Sequence, residues 1–193
     1  YVGWKYIPLR AQFEKLTKYK FSNNKILLLG GGSDDKNFTF KILKKLNNFK
    51  INLNLIILLG FKKNLSSNYK KLIKNSHHKI SIIKRKYLIN KLIGKSFLTI
   101  LPFGVTAYEV AALQKFSILF TKNKEDDISA SIFQKANISY KLRNITNFNE
   151  KIFNKIVQRY KKSSSQKRFK YSRFIRSGTK IIAKIINESF KKK

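Results

Sequence analysis

Apolar runs of strand length alternate with stretches of helical spacing along most of the chain. Lys25–Leu29 (KILLL) is the first run, and Gly30, Gly31 and Gly32 end it. Ser33, Asp34 and Asp35 then supply helix N-cap chemistry, and Phe38, Ile42, Leu43 and Leu46 carry the helical spacing that follows. Residues 51–59 predict a second buried strand, closed by Gly60, and residues 65–75 a helix with Tyr69, Leu72 and Ile73 on one side. A short third strand is expected over 80–83, then a helix over 87–93 stopped by Gly94. Residues 97–101 predict a fourth strand, broken by Pro102, Phe103 and Gly104. A helix over 106–113, a strand over 116–120, a helix over 127–136 and a sixth short strand over 138–142 complete the alternation. Helices are predicted over 149–160 and 179–190, with the serine run 163–165 between them.

Strands that are apolar throughout, rather than on alternate positions, belong to a parallel sheet covered on both faces. With the right-handed crossover rule, the expected fold is α/β: a doubly wound, mostly parallel, Rossmann-like sheet of six strands with a helical carboxyl-terminal tail. Ligands of such sheets sit beyond the carboxyl ends of the strands. The loops after Leu29 and Leu101 both fall on that edge.

Composition narrows the chemistry. Of 193 residues 42% are hydrophobic, enough for a real core. Without cysteine there are no disulfides, thiolate metal sites or cysteine nucleophiles. The two histidines, His77 and His78, are neighbours on the edge opposite the glycine loops and are not read as catalytic. No apolar run approaches the ~20 residues of a membrane span, so a cytoplasmic location is expected. The net charge of +34 is spread along the whole chain, and is accompanied by heavy use of Asn, Ile and Phe. All of these are written with A/T-rich codons, so compositional drift accounts for the bias without a ligand. The rival reading is a basic module that binds nucleic acid or a membrane surface through residues 151–193, where Glu188 is the one acid.

Acids are scarce, and six of the nine fall in three places: Asp34–Asp35, Glu109, and Glu125–Asp126–Asp127. The first pair reads as caps, which would repel a phosphate if they faced it. The last three read as stabilising a helix N-terminus, since a metal would need further oxygen ligands. Thr106 and Glu109 have the spacing of a capping box. Glu109 alternatively accepts hydrogen bonds from a sugar diol; spacing alone favours the cap. The loop 30–33 permits close approach of the main chain and offers helix N–H groups to an anion, although it matches neither the dinucleotide nor the Walker pattern.

Three segments in order resemble a family of nucleotide-sugar hydrolases. Residues 1–13 (YVGWKYIPLRAQF) are similar to its G-x-K-Y-x-x-L-R-x-x-F connection. Residues 31–39 (GGSDDKNFT) are similar to its G-G-S-D-P-x-N-x-T loop, and residues 104–113 (GVTAYEVAAL) to its G-x-T-x-x-E-x-x-A-L loop and helix. The family is that of the UDP-2,4-diacetamido-2,4,6-trideoxy-β-L-altropyranose hydrolase of pseudaminic acid synthesis, with the related spore-coat polysaccharide proteins. It shares the GT-B architecture of glycosyltransferases. The resemblance implies a UDP-sugar-binding half of such an enzyme. Gly31, Gly32 and Ser33 would lie near the diphosphate, and Gly104, Val105, Thr106 and Ala107 would offer it main-chain N–H groups. Glu109 would hold the ribose, and Lys86 and Tyr87 would sit beside the uracil. It implies no metal or cofactor. The histidine that activates water belongs to an amino-terminal half, expected as a partner upstream of Tyr1, so no catalytic residue is assigned here.

On this reading residues 1–21 form the interdomain linker, 22–145 the nucleotide-binding domain, and 146–193 a basic helical tail packing on it. Three departures stand out. Asp35 replaces the family's proline, and Gln114-Lys115-Phe116 replaces its Gly-Val-Pro. Lys124-Glu125-Asp126 stands where an acid-Asn-Gln triplet touches the sugar, so no sugar contact is carried over there. A glycosyltransferase using the same UDP site is the alternative.

Overall fold

The computed structural model describes residues 3–15, 24–32, 34, 37–60, 64–84, 89–162 and 175–191. Six strands form one sheet: β1 (Lys25–Leu29), β2 (Asn54–Leu59), β3 (Lys79–Lys84), β4 (Leu98–Pro102), β5 (Ser117–Phe120) and β6 (Ser139–Leu142). Their order is β3-β2-β1-β4-β5-β6, and every pairing is parallel. This is the doubly wound α/β arrangement that the strand composition predicts. The helices are α1 (Phe38–Leu46), α2 (Ser67–Lys74), α3 (Ile89–Lys95), α4 (Val105–Ala112), α5 (Lys124–Lys135), α6 (Glu150–Lys162) and α7 (Gly178–Lys191).

Alternate residues of each inner strand feed two cores. Ile26 and Leu28 of β1 pack with Ile42, Leu43 and Leu46 of α1 and with Phe153 and Ile156 of α6. Leu27 and Leu29 pack with Ile93 of α3, Ala107 and Val110 of α4 and Phe133 of α5 on the other face. Because both faces are covered, β1, β4 and β5 read as mainly apolar runs, with Thr99 and Ser117 as small buried polar exceptions. The edge strand β3 is half-exposed.

Several element ends differ from the sequence reading. Gly94 does not stop α3 but lies buried within its last turn, where packing offsets its weak helix propensity. Helix α5 begins three residues earlier than expected, because the Asn123 side chain accepts from the Asp126 N–H at 2.8 Å. Pro102 continues β4 as its last residue, where no further ladder bond is required of it.

Helices α4 and α5 end alike. The N–H groups of Lys115 and Ile138 bond back to Val110 and Phe133 at 3.1 Å, closing the last turn around Gln114 and Asn137. Both residues are left-handed, with φ of 60° and 57°. Asparagine tolerates that region; glutamine does so poorly, and it stands where the resembled family has glycine. Gln114→Gly is therefore expected to stabilise the fold by roughly 0.5–1 kcal/mol in urea unfolding, against a loss if the position were ordinary helix.

His78 is a structural tie. Its Nε2 donates to the Leu46 carbonyl at 2.8 Å and its Nδ1 accepts from the Leu53 N–H at 3.3 Å, which requires the neutral ring. Burial lowers its pKa from 6.5, despite the carbonyl bond that raises it. The unfolded chain therefore takes up this proton at higher pH than the folded one. The contribution is complete above about pH 6.5 and is lost as pH falls toward the folded pKa. The stability gap between the wild type and His78→Gln should thus shrink from pH 7.5 to lower pH; a constant gap would refute the neutral-ring account.

Candidate functional site

The strand order reverses between β1 and β4, so the loops leaving their carboxyl ends diverge to opposite faces and leave a crevice. A cleft of about 330 Å³ opens there. Gly30, Gly31 and Gly32 form one wall, the segment from Pro102 to Thr106 the other, and Lys122 after β5 reaches in from the side.

The first wall is shaped by backbone proximity. Gly31 has a φ of 89°, open to glycine and strained for other residues. A Cβ on Gly60, at the end of β2, would run into the Gly32 carbonyl, so the two loops touch main chain to main chain. A Cβ on Gly30 would meet the Asp34 side chain. Asp34 is buried, and its Oδ1 accepts from the Phe38 N–H at 2.7 Å and the Thr39 N–H at 3.3 Å. Its Oδ2 accepts from the Thr39 hydroxyl. The carboxylate caps α1, and the helix N-terminus compensates its charge.

The second wall ends in the first turn of α4. Gly104 is its N-cap and no side chain caps it, so the capping-box reading of Thr106 and Glu109 is corrected. Thr106 falls two residues past the N-cap, too far inside the helix to serve as cap. The N–H groups of Val105 and Thr106 precede the first main-chain helical bond and lie in the cleft wall, where they are available to an anion.

Glu109 has a different partner. It is 1% exposed, and its two oxygens accept from Arg10 Nε at 2.6 Å and Nη2 at 2.7 Å. Arg10 is 55% exposed, and lies over the Phe13 ring. This bidentate fork ties the segment before β1 to α4 across 99 positions of sequence. The same segment is pinned elsewhere. Trp4 packs on Phe133, which also meets Phe103 and Tyr108. The Thr179 hydroxyl of α7 bonds both main-chain groups of Leu9 at 3.1 Å.

Of the predicted site residues, Gly31, Gly32, Gly104, Val105 and Thr106 line one cleft. Ala107 and Glu109 are buried behind it. Ser33, Lys86 and Tyr87 lie outside the described residues, as does Asp35. The acids after β5 serve local structure. Asp126 accepts from the Lys122 N–H at 3.1 Å, and Asp127 pairs with Arg143 at 2.7 Å and Lys141 at 2.8 Å. Those partners, Arg143 foremost, hold the Asp127 carboxyl well below the usual carboxylate range. Sequence reasoning missed Arg10 and Lys122. Arg10 was legible only as part of a resembling motif, and Lys122 is one lysine among many.

No known family profile matches the chain. In sequence it is similar to the uncharacterized protein MJ1062 of Methanocaldococcus jannaschii, 31% identical over 121 residues. That alignment covers 58% of this chain and 25% of the relative, so the chain spans about a quarter of the relative's length. In structure it is similar to the kitacinnamycin glycotransferase, with a TM-score of 0.62 at 10% identity over 94% of this chain and 46% of that one. It is also similar to MurG of Acinetobacter baumannii (TM-score 0.60, 14% identity, 97% of this chain and 54% of that one). The spinosyn forosaminyltransferase SpnP gives a TM-score of 0.56 at 12% identity, over 93% of this chain and 46% of that one. The fold is thus of the GT-B glycosyltransferase type, and the chain spans about half of each of these proteins. Among the described residues no helix is long and apolar enough to cross a membrane.

The Arg10–Glu109 pair yields an asymmetry. Arg10→Ala strands a buried carboxylate and should cost about 2 kcal/mol, below the ~3–5 of a fully buried pair because Arg10 is half in solvent. Glu109→Gln leaves Arg10 free to hydrate and should cost less. Urea unfolding of both variants checks the order; the reverse order would mean that Glu109 has another counter-charge.

Proposed function

We propose that this chain is the nucleotide-sugar-binding half of a GT-B enzyme that releases UDP from an amino-deoxy sugar during surface-polysaccharide or nonulosonic acid synthesis. The observation that carries the reading is the convergence of two glycine-bearing loops on one cleft at the switch point of the sheet, where the α1 N–H groups compensate the charge of Asp34 in the cleft wall. On this reading the N–H groups of Gly31, Gly32 and Ser33 face the diphosphate from one side. Those of Gly104, Val105 and Thr106 face it from the other, and Lys122 adds a cation; the expected Ala107 N–H is instead taken by the Gly104 carbonyl at 2.9 Å. Lys86 and Tyr87 flank the base.

The role for Glu109 carries a geometric condition. Each carboxylate oxygen accepts two hydrogen bonds, so the Arg10 fork leaves one acceptor site on each for a ribose diol. The side chain is nearly inaccessible, so ribose reaches it only if Arg10 or the segment bearing it shifts. Arg10 then holds the carboxylate charged and oriented, which makes it a positioning residue.

The chain by itself binds UDP and turns nothing over, because the water-activating group belongs to the expected amino-terminal half. Residues 1–21 serve as its linker, 22–145 as the nucleotide-binding domain and 146–193 as the tail packed on it. Glycosyl transfer to a sugar acceptor is the second reading. The likeness in fold to the kitacinnamycin glycotransferase and to the forosaminyltransferase SpnP supports it equally.

Calorimetric titration with UDP tests the proposal. Glu109→Gln should weaken binding about tenfold, the worth of a charge-assisted hydrogen bond. Val105→Pro, which removes a first-turn N–H at the first helical position, where proline is accepted, should weaken it comparably while α4 persists. UDP binding that neither change alters would overturn the assignment.

A further inference from the structure

Beside the cleft lies a second cavity of about 630 Å³, bounded by α1, the carboxyl ends of β4 and β5, and the turn after β6. It shares Phe38, Pro102 and Lys122 with the cleft but extends to the other side of them. We propose that this cavity is a binding site for a phosphate monoester carrying an apolar group, separate from the nucleotide cleft. It does not depend on the nucleotide reading.

Lysine is abundant everywhere in this chain, so charge alone selects nothing. Three features single out this place. The first is its position on the carboxyl edge of a parallel sheet, where such folds bind ligands. Another concavity of about 660 Å³ lies at the opposite edge, around Asn24, Asn52 and Asn54, and has no comparable cluster of cations. The second feature is an apolar floor. Phe38 and Phe120 are buried, meet edge to face at 5.4 Å between ring centroids, and both line the cavity with Pro102.

The third is uncompensated charge around that floor. Lys41, Lys44 and Lys45 recur at helical spacing on one face of α1, and Lys122 and Arg143 stand across from them. Among the described residues no carboxylate lines the cavity. Asp127, which neutralises Arg143, is already shared with Lys141. The side-chain ammonium groups of Lys41, Lys44 and Lys122 make no ion pair with a carboxylate among the described residues. Lys45 Nζ donates to the Thr146 carbonyl at 3.3 Å, which joins the two walls at one place.

Ammonium groups on flexible stems suit a compact dianion, which they approach as point charges from several sides. A phosphate fills only a fraction of the volume. The remainder lies against the two phenylalanines and accommodates an alkyl, prenyl or aryl body. A soluble phosphate ester and a lipid headgroup offer the same chemistry.

Phenyl phosphate is the probe, titrated calorimetrically into the full chain at low salt, with inorganic phosphate alongside. Phenyl phosphate should bind roughly tenfold tighter than inorganic phosphate, because the ring is buried on the aromatic floor. Lys41→Ala with Lys44→Ala removes two exposed lysines and should weaken it about fivefold or more. The matched pair Lys70→Ala with Lys71→Ala, on exposed α2, removes the same charge elsewhere and should leave it within about twofold. Saturating UDP should not displace the probe. Failure of UDP to bind at all would touch the cleft alone and leave these expectations standing. Sedimentation with phosphatidylcholine vesicles containing phosphatidic acid, if abolished by the Lys41/Lys44 variant only, assigns the phosphate to a lipid headgroup; no sedimentation assigns it to a soluble ester. Equal binding of the two phosphates, equal loss in both lysine pairs, or displacement by UDP would overturn the proposal.

Discussion

An all-parallel sheet forces every connection to cross one of its faces, and in this chain the direction of winding reverses once, between β1 and β4. There the outgoing loops part, because α1 lies on one face and α4 on the other, and no side chain is required to fill the gap. The nucleotide reading derives from that topological gap. The glycines on its rim keep it open by letting Gly60 and Gly32 approach main chain to main chain. The helix start on its far side supplies N–H groups that regular structure leaves over.

The few acids show how a strongly basic chain keeps its fold. Asp34 caps α1, Asp127 holds Lys141 and Arg143 together, and Glu109 grips Arg10. Each supplies a negative charge where an N-terminus or a cation would otherwise lack one. With so few carboxylates, most of the lysines repel one another through solvent, which favours solubility and leaves clusters such as that on α1 available to anions.

Residues 3–15 are as much a part of this domain as the helices. Phe13 is fully buried, Trp4 packs on Phe133 of the aromatic cluster that includes Phe103, and α7 returns to bond Leu9. Movement of that segment would be transmitted to Glu109 through the two hydrogen bonds from Arg10.

The six strands, their parallel sense and the glycine-lined edge were legible in the amino-acid pattern, because burial on both faces and the chain's turn chemistry are local properties. Five of the predicted cleft residues converge for the same reason: each sits next to the end of a readable strand. Other features were not legible. The start of α4 at Gly104 displaced the expected capping box, the left-handed Gln114 appeared only in the folded helix end, and Glu109 acquired a partner 99 residues away. The lysines of α1 likewise met those beyond β5 and β6 only once the sheet had brought those elements side by side. Spacing along a chain records which face a residue takes; which distant charge it meets depends on how the sheet is wound, and that is settled by packing of the whole.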